Sequence, residues 1–188
     1  MKTIFSVLCG LGCLWFGGGT VAMAGDGVVA NNATLMRIGV YDSRAVAFAW
    51  FWSEAQQRQL KELMKSARAA KVAGQTNRFQ ELDATLRQKQ DEMHREVFST
   101  APAAGALAAI KEQISEIEKQ TGVTMLVSKW DDQVLRQYQD AEKMDVTDRL
   151  VREFIQPTGQ QQKVLSEMQR QKPLPLEKCD ELIRKGEI

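Results

Sequence analysis

Residues 53–72 read Ser-Glu-Ala-Gln-Gln-Arg-Gln-Leu-Lys-Glu-Leu-Met-Lys-Ser-Ala-Arg-Ala-Ala-Lys-Val, and a similar charged, Ala- and Gln-rich composition continues to Thr121. Leu60, Leu63, Met64, Ala67 and Ala70 recur at three-four spacing, which puts them on one narrow stripe of a helix. Gly74 interrupts that stripe. Asn77 and Gln80 have the form of a capping box opening a new helix, and a second stripe follows in Phe79, Leu82, Leu86, Met93 and Val97. Between Leu86 and Met93 the stripe falls on polar Lys89 and Gln90, so the seam is weakest there. Ser99-Thr-Ala-Pro102 ends the run, because proline disfavours helix in the residue before it. Leu107, Ile110, Ile114 and Ile117 form a third stripe, and Gly122 suits its C-terminal end.

A short β-like segment flanks this helical excursion on each side. Arg37-Ile-Gly-Val-Tyr-Asp42 alternates as a half-buried strand does, and Val123-Thr-Met-Leu-Val-Ser128, with Met125 and Val127 inside it, is apolar enough to sit centrally in a sheet. The excursion must therefore return to where it began. A reversal at Pro102 would pair an outward arm of about 55 residues with a return of about 17, and at about 1.5 Å per residue the return would fall short by more than about 50 Å. A turn at residues 73–77 makes the lengths compatible. The fold expected is α+β and mostly helical: a small β-sheet body with a projecting antiparallel helical hairpin, its arm at about 53–121.

Outward from that segment, Asp42 or Ser43 can cap a helix, and Ala45 to Trp52 is apolar all round, which predicts burial on every side. Trp50, Phe51 and Trp52 are candidates for the core or for an oligomer interface. After Ser128, Lys129-Trp-Asp-Asp132 reads as a turn and Gln133 to Tyr138 as a strand pairing back, followed by a polar connection at 140–143. Asp145 or Thr147 caps a short helix with Leu150, Val151, Phe154 and Ile155, and Thr158 caps another with Val164, Leu165 and Met168. Lys172-Pro-Leu-Pro175 is an extended spacer before a last helix, Leu176 to Lys185. Domain boundaries fall at 37–155 for the sheet and hairpin and 156–188 for a helical extension.

The N-terminus reads as a secretory signal: Lys2, an apolar run from Ile4 to Phe16, and Ala22-Met-Ala24 as a small-x-small cleavage site. Cleavage after Ala24 leaves 188 − 24 = 164 residues, with 25–36 as a flexible leader. A lipid-acceptor role for Cys13 is the alternative. Cys9 and Cys13 depart with the signal, so Cys179 stands alone and no internal disulfide is expected. The formal charge of +1 includes Lys2; a near-neutral mature chain does not point to nucleic acid.

The order of signal, strand, helical hairpin, further strands and short helix resembles the Skp/OmpH family of periplasmic chaperones. Arg37-Ile-Gly-Val-Tyr-Asp-Ser43, Gly122-Val-Thr-Met-Leu-Val-Ser128 and Asp145-Val-Thr-Asp-Arg-Leu-Val151 carry the resemblance, which spans roughly residues 37–154. It implies a trimer whose hairpins surround a cavity that holds unfolded outer-membrane proteins. The chain departs from that family in its near-neutral charge, its interrupted hairpin and its proline-containing C-terminal extension.

Arg58, Lys61, Lys65, Arg68 and Lys71 form a basic stripe that could engage a client or an anionic lipid surface; a solvated helix flank is the alternative. Asp42, Arg44, Lys129, Trp130, Asp131 and Asp145 all lie at strand ends and could converge. His94 has no Cys, Asp or His in ligand spacing. The sequence contains no Gly-rich phosphate loop, no nucleophile–His pair and no metal-ligand cluster. The reading is a non-enzymatic, cofactor-free, exported holdase for unfolded envelope proteins, acting in the periplasm as a homo-oligomer. The alternative is a coiled-coil scaffold of the cell envelope.

Overall fold

A computed structural model describes residues 36–188. The signal, its cleavage site, Cys13 and nearly all of the leader lie outside the described residues.

Strand β1 (Arg37–Tyr41) lies between β2 (Leu126–Ser128) and β3 (Glu142–Asp145), and both neighbours run parallel to it. Parallel pairing needs crossover connections, and helices supply both of them. Gly39 makes the close strand packing possible. A Cβ at this position would stand 2.8 Å from Leu126 Cδ2 and 3.2 Å from Val146 Cγ2.

This sheet corrects two expectations. The apolar segment 123–128 is not central; only 126–128 are strand, on one edge, and β1 holds the middle. Residues 133–138 do not pair back, because helix α6 (Asp132–Gln137) occupies them, opened by Asp131, whose carboxylate accepts the Val134 N–H at 3.0 Å. That cap satisfies an otherwise orphan donor and favours helix locally. The third strand lies instead where a polar connection was expected. Its sequence, Glu-Lys-Met-Asp, has one apolar residue, and the strand is held by backbone bonds from Glu142 N–H to the Met36 carbonyl and from Val146 N–H to the Val40 carbonyl, both 2.9 Å.

Helix α1 (Ser43–Phe51) starts at Asp42, whose side chain accepts the Arg44 N–H. Ala45, Val46, Ala47 and Ala49 are fully buried, whereas Phe48, Trp50, Phe51 and Trp52 are only half-buried. Burial on every side is thus corrected. The small residues admit the neighbouring helices closely, and the large rings spread along the edges. Trp50 lies over Gly105, where a Cβ would come within 2.8 Å of the indole ring; Phe48 and Trp52 meet edge to face with centroids 4.1 Å apart.

Helix α2 (Glu54–Val72) is opened by Ser53, and α3 (Thr76–Phe98) follows after Gly74, which takes the left-handed φ of 68° that the turn requires. The capping box expected at Asn77 and Gln80 does not form: α3 begins at Thr76, and Gln75 makes no side-chain cap bond. Along these two helices Leu63, Ala67 and Ala70 pack against Phe79, Leu82 and Leu86. The third stripe is split by Ile110 into α4 (Ala104–Ala109) and α5 (Lys111–Thr121), closed at Gly122 with φ 70°. Ala103, Ala106, Ile110 and Ile117 belong to the core with Tyr41, Val46, Val97, Val146 and Leu150. Residues beyond the Pro102 break therefore belong to the body and not to an arm.

Asp145 accepts the Thr147 N–H at 2.8 Å at the start of α7 (Thr147–Arg152). Thr158 and Gln161 form a full capping box on α8 (Gly159–Arg170). Leu174 pairs with Ser99 as an isolated bridge, which carries the chain to α9 (Leu176–Lys185). Helix α8 packs on α1 and α9 on α3, so residues 159–185 lie on the same body as the sheet.

Candidate functional site

The seam between α2 and α3 closes well where alanines allow the helices to approach, and Ala67, Ala70 and Leu82 are buried there. Nearer α1 it opens. Lys89 and Gln90 occupy the place where a seam residue should be, and neither can fill the space between the helices with apolar volume. A groove of about 320 Å³ results, and Phe51, Leu60, Met64, Leu86 and Met93 form its apolar walls. Gln56, Gln57, Lys89 and Gln90 form its polar rim. The Gln57 side-chain amide donates to the Phe51 carbonyl at 2.9 Å, which pins the end of α1 to the first turn of α2. A concave apolar site with a few polar groups around it is the usual form of a binding site, and methionines on both helices make its walls adaptable.

On the outer side of α2, Lys61, Lys65 and Arg68 surround exposed Met64 and Val72, which are 47% and 85% exposed. Three residues of the basic stripe thus share one open face, with Met64 common to that face and to the groove. Arg58 is exposed but lines neither. Lys71 places its ammonium 5.5 Å from the centroid of Phe79 on α3. Lys65 is the one member of the stripe in an ion pair among the described residues, with Glu62 at 3.9 Å.

The strand-end residues converge at the carboxyl edge of the sheet. Fully buried Asp42 receives the Trp130 indole N–H at 3.0 Å and the Lys129 ammonium at 2.6 Å, and Arg44 Nε lies 3.6 Å from it. The Asp42 N–H in turn donates to Thr147 Oγ1 at 2.9 Å. Arg44 and Lys129 both stand over the Trp130 ring. In open parallel sheets this edge commonly carries ligands; here Asp42 has its partners within the chain. Asp131 caps α6, and Asp145, one residue ahead of the N-cap Val146, accepts the Thr147 N–H of α7.

No protein-family model, no curated protein and no solved structure matches the chain.

Two groups went unnoticed in the sequence. Glu96 is buried on α3, and burial, reinforced by nearby Glu92, raises its carboxyl to about 7, while the Gly105 amide and Arg95 pull the other way. Tyr41 is pushed up to about 12 by burial and by Asp131 and Glu96. Nothing in the order of residues marks Glu96, because a glutamate beside a helical stripe is normally solvated. The groove did have a signal, the gap at Lys89 and Gln90. His94 stacks on Phe98 with centroids 5.5 Å apart, and its carbonyl accepts from the buried Cys179 thiol, whose pKa is raised by burial. Among the described residues no group of three His, Cys, Asp or Glu side chains could hold a metal ion, and no helix is long and apolar enough to cross a membrane.

Proposed function

We propose that this chain is an exported, ATP-independent holdase of the Skp/OmpH kind, binding apolar segments of unfolded envelope or outer-membrane proteins in the periplasm. In this reading α2 and α3 correspond to the family's arm, the assembly is a homo-oligomer, trimeric by resemblance, and the basic face of α2 meets anionic surfaces. The observation that carries it is the open apolar groove between α2 and α3. A helix pair serving only to join two elements gains by closing its seam, at about 25 cal/mol per Å² of apolar surface removed from water. This seam is closed toward the Gly74 turn and left open toward the body. The closed part favours the second reading, an envelope scaffold, and the open part favours the holdase.

The test is suppression of aggregation of a denatured outer-membrane protein diluted from urea, with the oligomeric mass measured in parallel. The chain should suppress aggregation in proportion to its concentration. Leu86→Glu, which puts a charge into the groove, should abolish the effect, and Val72→Glu on the exposed face should not. A wild-type chain without effect on aggregation removes the holdase reading and leaves the scaffold.

A further inference from the structure

Resting on the holdase reading, we propose that the α2–α3 groove is a receptor for aromatic side chains carried on an extended segment of another polypeptide. Its capacity of about 320 Å³ admits a large side chain, but size alone does not choose between a ring and an aliphatic chain. The wall chemistry does.

Met64 comes from α2 and Met93 from α3, so a side chain entering between the helices has a thioether on each. Sulfur–ring contacts add attraction beyond area burial, which an aliphatic guest does not gain. Phe51 supplies a ring for offset or edge-to-face contact. Lys89 is the one charged residue of the lining, which contains no carboxylate. It is half-buried, and no salt bridge engages it among the described residues. An ammonium in that state complements the negative face of an aromatic ring and offers nothing to a leucine. The same helix pair already makes one such contact near its turn, Lys71 over Phe79.

The rim suits an extended backbone. Gln56 and Gln90 are neutral amides able to donate and accept, so they can bond a peptide group whatever the charge of its neighbours. With the signal cleaved as expected, taking Phe5, Trp15 and Phe16 with it, residues 25–35 contain no Phe, Tyr or Trp to reach the groove, so the guest ring is assigned to another chain. Strands of outer-membrane barrels carry such rings, grouped in aromatic girdles on alternating positions.

The experiment uses the purified chain and a Ser/Thr/Gln host peptide with one guest position, filled by phenylalanine, cyclohexylalanine or leucine. Cyclohexylalanine has the size and apolarity of phenylalanine without its π face. The phenylalanine peptide should bind about three- to tenfold more tightly than the cyclohexylalanine one, with ring-current shifts on the Met64 and Met93 methyl signals. Lys89→Gln, and separately Met64→Leu with Met93→Leu, should bring the phenylalanine peptide down toward the cyclohexylalanine level and leave the latter unchanged. Equal binding of the two peptides overturns the proposal, as does a phenylalanine preference that survives the substitutions. Suppressed aggregation without peptide preference sinks this inference and leaves the holdase reading standing. Ring-selective binding without suppression does the reverse.

Discussion

The ammonium of Lys129, just past β2, lies 2.6 Å from the fully buried carboxylate of Asp42, just past β1. One ion pair thereby joins the ends of two neighbouring parallel strands. The Trp130 indole donates to the same carboxylate at 3.0 Å, so the residues following β2 grip Asp42 twice. Removing Lys129 leaves the buried carboxylate with the more distant Arg44, Nε at 3.6 Å, as its remaining charged partner, which is costlier than replacing both members of the pair.

Lys129→Met should therefore destabilise the protein by about 1–2 kcal/mol, short of the cost of an unpaired buried charge because Arg44 and the Trp130 N–H stay on the carboxylate, read as a lower urea midpoint with unchanged slope. The double variant with Asp42→Asn should recover part of that loss, because the amide no longer demands a counter-charge. A double variant as unstable as the sum of the singles would show that the two residues act independently.

Glu96 makes stability depend on pH in the sense opposite to a surface carboxylate. Its carboxyl stands at about 7 in the folded chain against an ordinary 4.5. Between those values the native state keeps a proton that the unfolded chain has released, so stability is full at the acid end and falls as pH rises toward 7. The loss should be about 2–3 kcal/mol. Glu96→Gln should flatten the profile, measured as urea midpoints across this range. A wild-type midpoint that rises with pH there would contradict the assignment.

Most of the helical part of this fold was legible because three-four spacing survives its environment: the turn at Gly74, the caps at Asp42 and Thr158, and the last helix can be read from residue order, whereas the short α6 reads as a strand. The sheet was not. A buried parallel strand is recognised by apolar content, and Glu142-Lys-Met-Asp145 has almost none; its place is set by β1 offering backbone partners on its free side. The apolar segment 123–128 misled in the other direction, because Val123 is buried in the approach to the strand and not within it. Of the candidate site, the gap at Lys89 and Gln90 was visible as a missing seam residue. Phe51 and Met64 as its walls depend on how α1 meets α2, which no local pattern states.

The basic stripe should matter for binding and not for stability. Among the described residues only Lys65 of the stripe has a carboxylate in range, at 3.9 Å and with both side chains exposed. Replacing Arg58, Lys61, Lys65 and Arg68 together with Gln should leave stability within about 0.5 kcal/mol. Association with vesicles containing anionic lipid should weaken at low salt by at least about tenfold, with neutral vesicles unaffected. Unchanged association with the anionic vesicles would make the stripe a solvated flank.

Arg44 ties the C-terminal helices to the sheet. Its guanidinium donates to the Met168 carbonyl, which also accepts the Gln171 N–H, and, at 2.7 Å, to the Gln171 carbonyl, at the negative end of α8. The same group lies 4.9 Å from the centroid of the Trp130 ring. Both bonds come from one guanidinium nitrogen, Nη2, and a lysine keeps the charge but neither that nitrogen's reach nor the planar group beside the Trp130 ring. Arg44→Lys should therefore cost about 1–3 kcal/mol, concentrated in α8. Hydrogen exchange would locate it: amides of residues 162–170 should exchange faster, while the Gly39 amide, bonded to the Met125 carbonyl at 2.9 Å in the centre of the sheet, should keep its protection. Acceleration shared equally by β1 would mean that Arg44 acts through Asp42 on the whole sheet and not as a local tether.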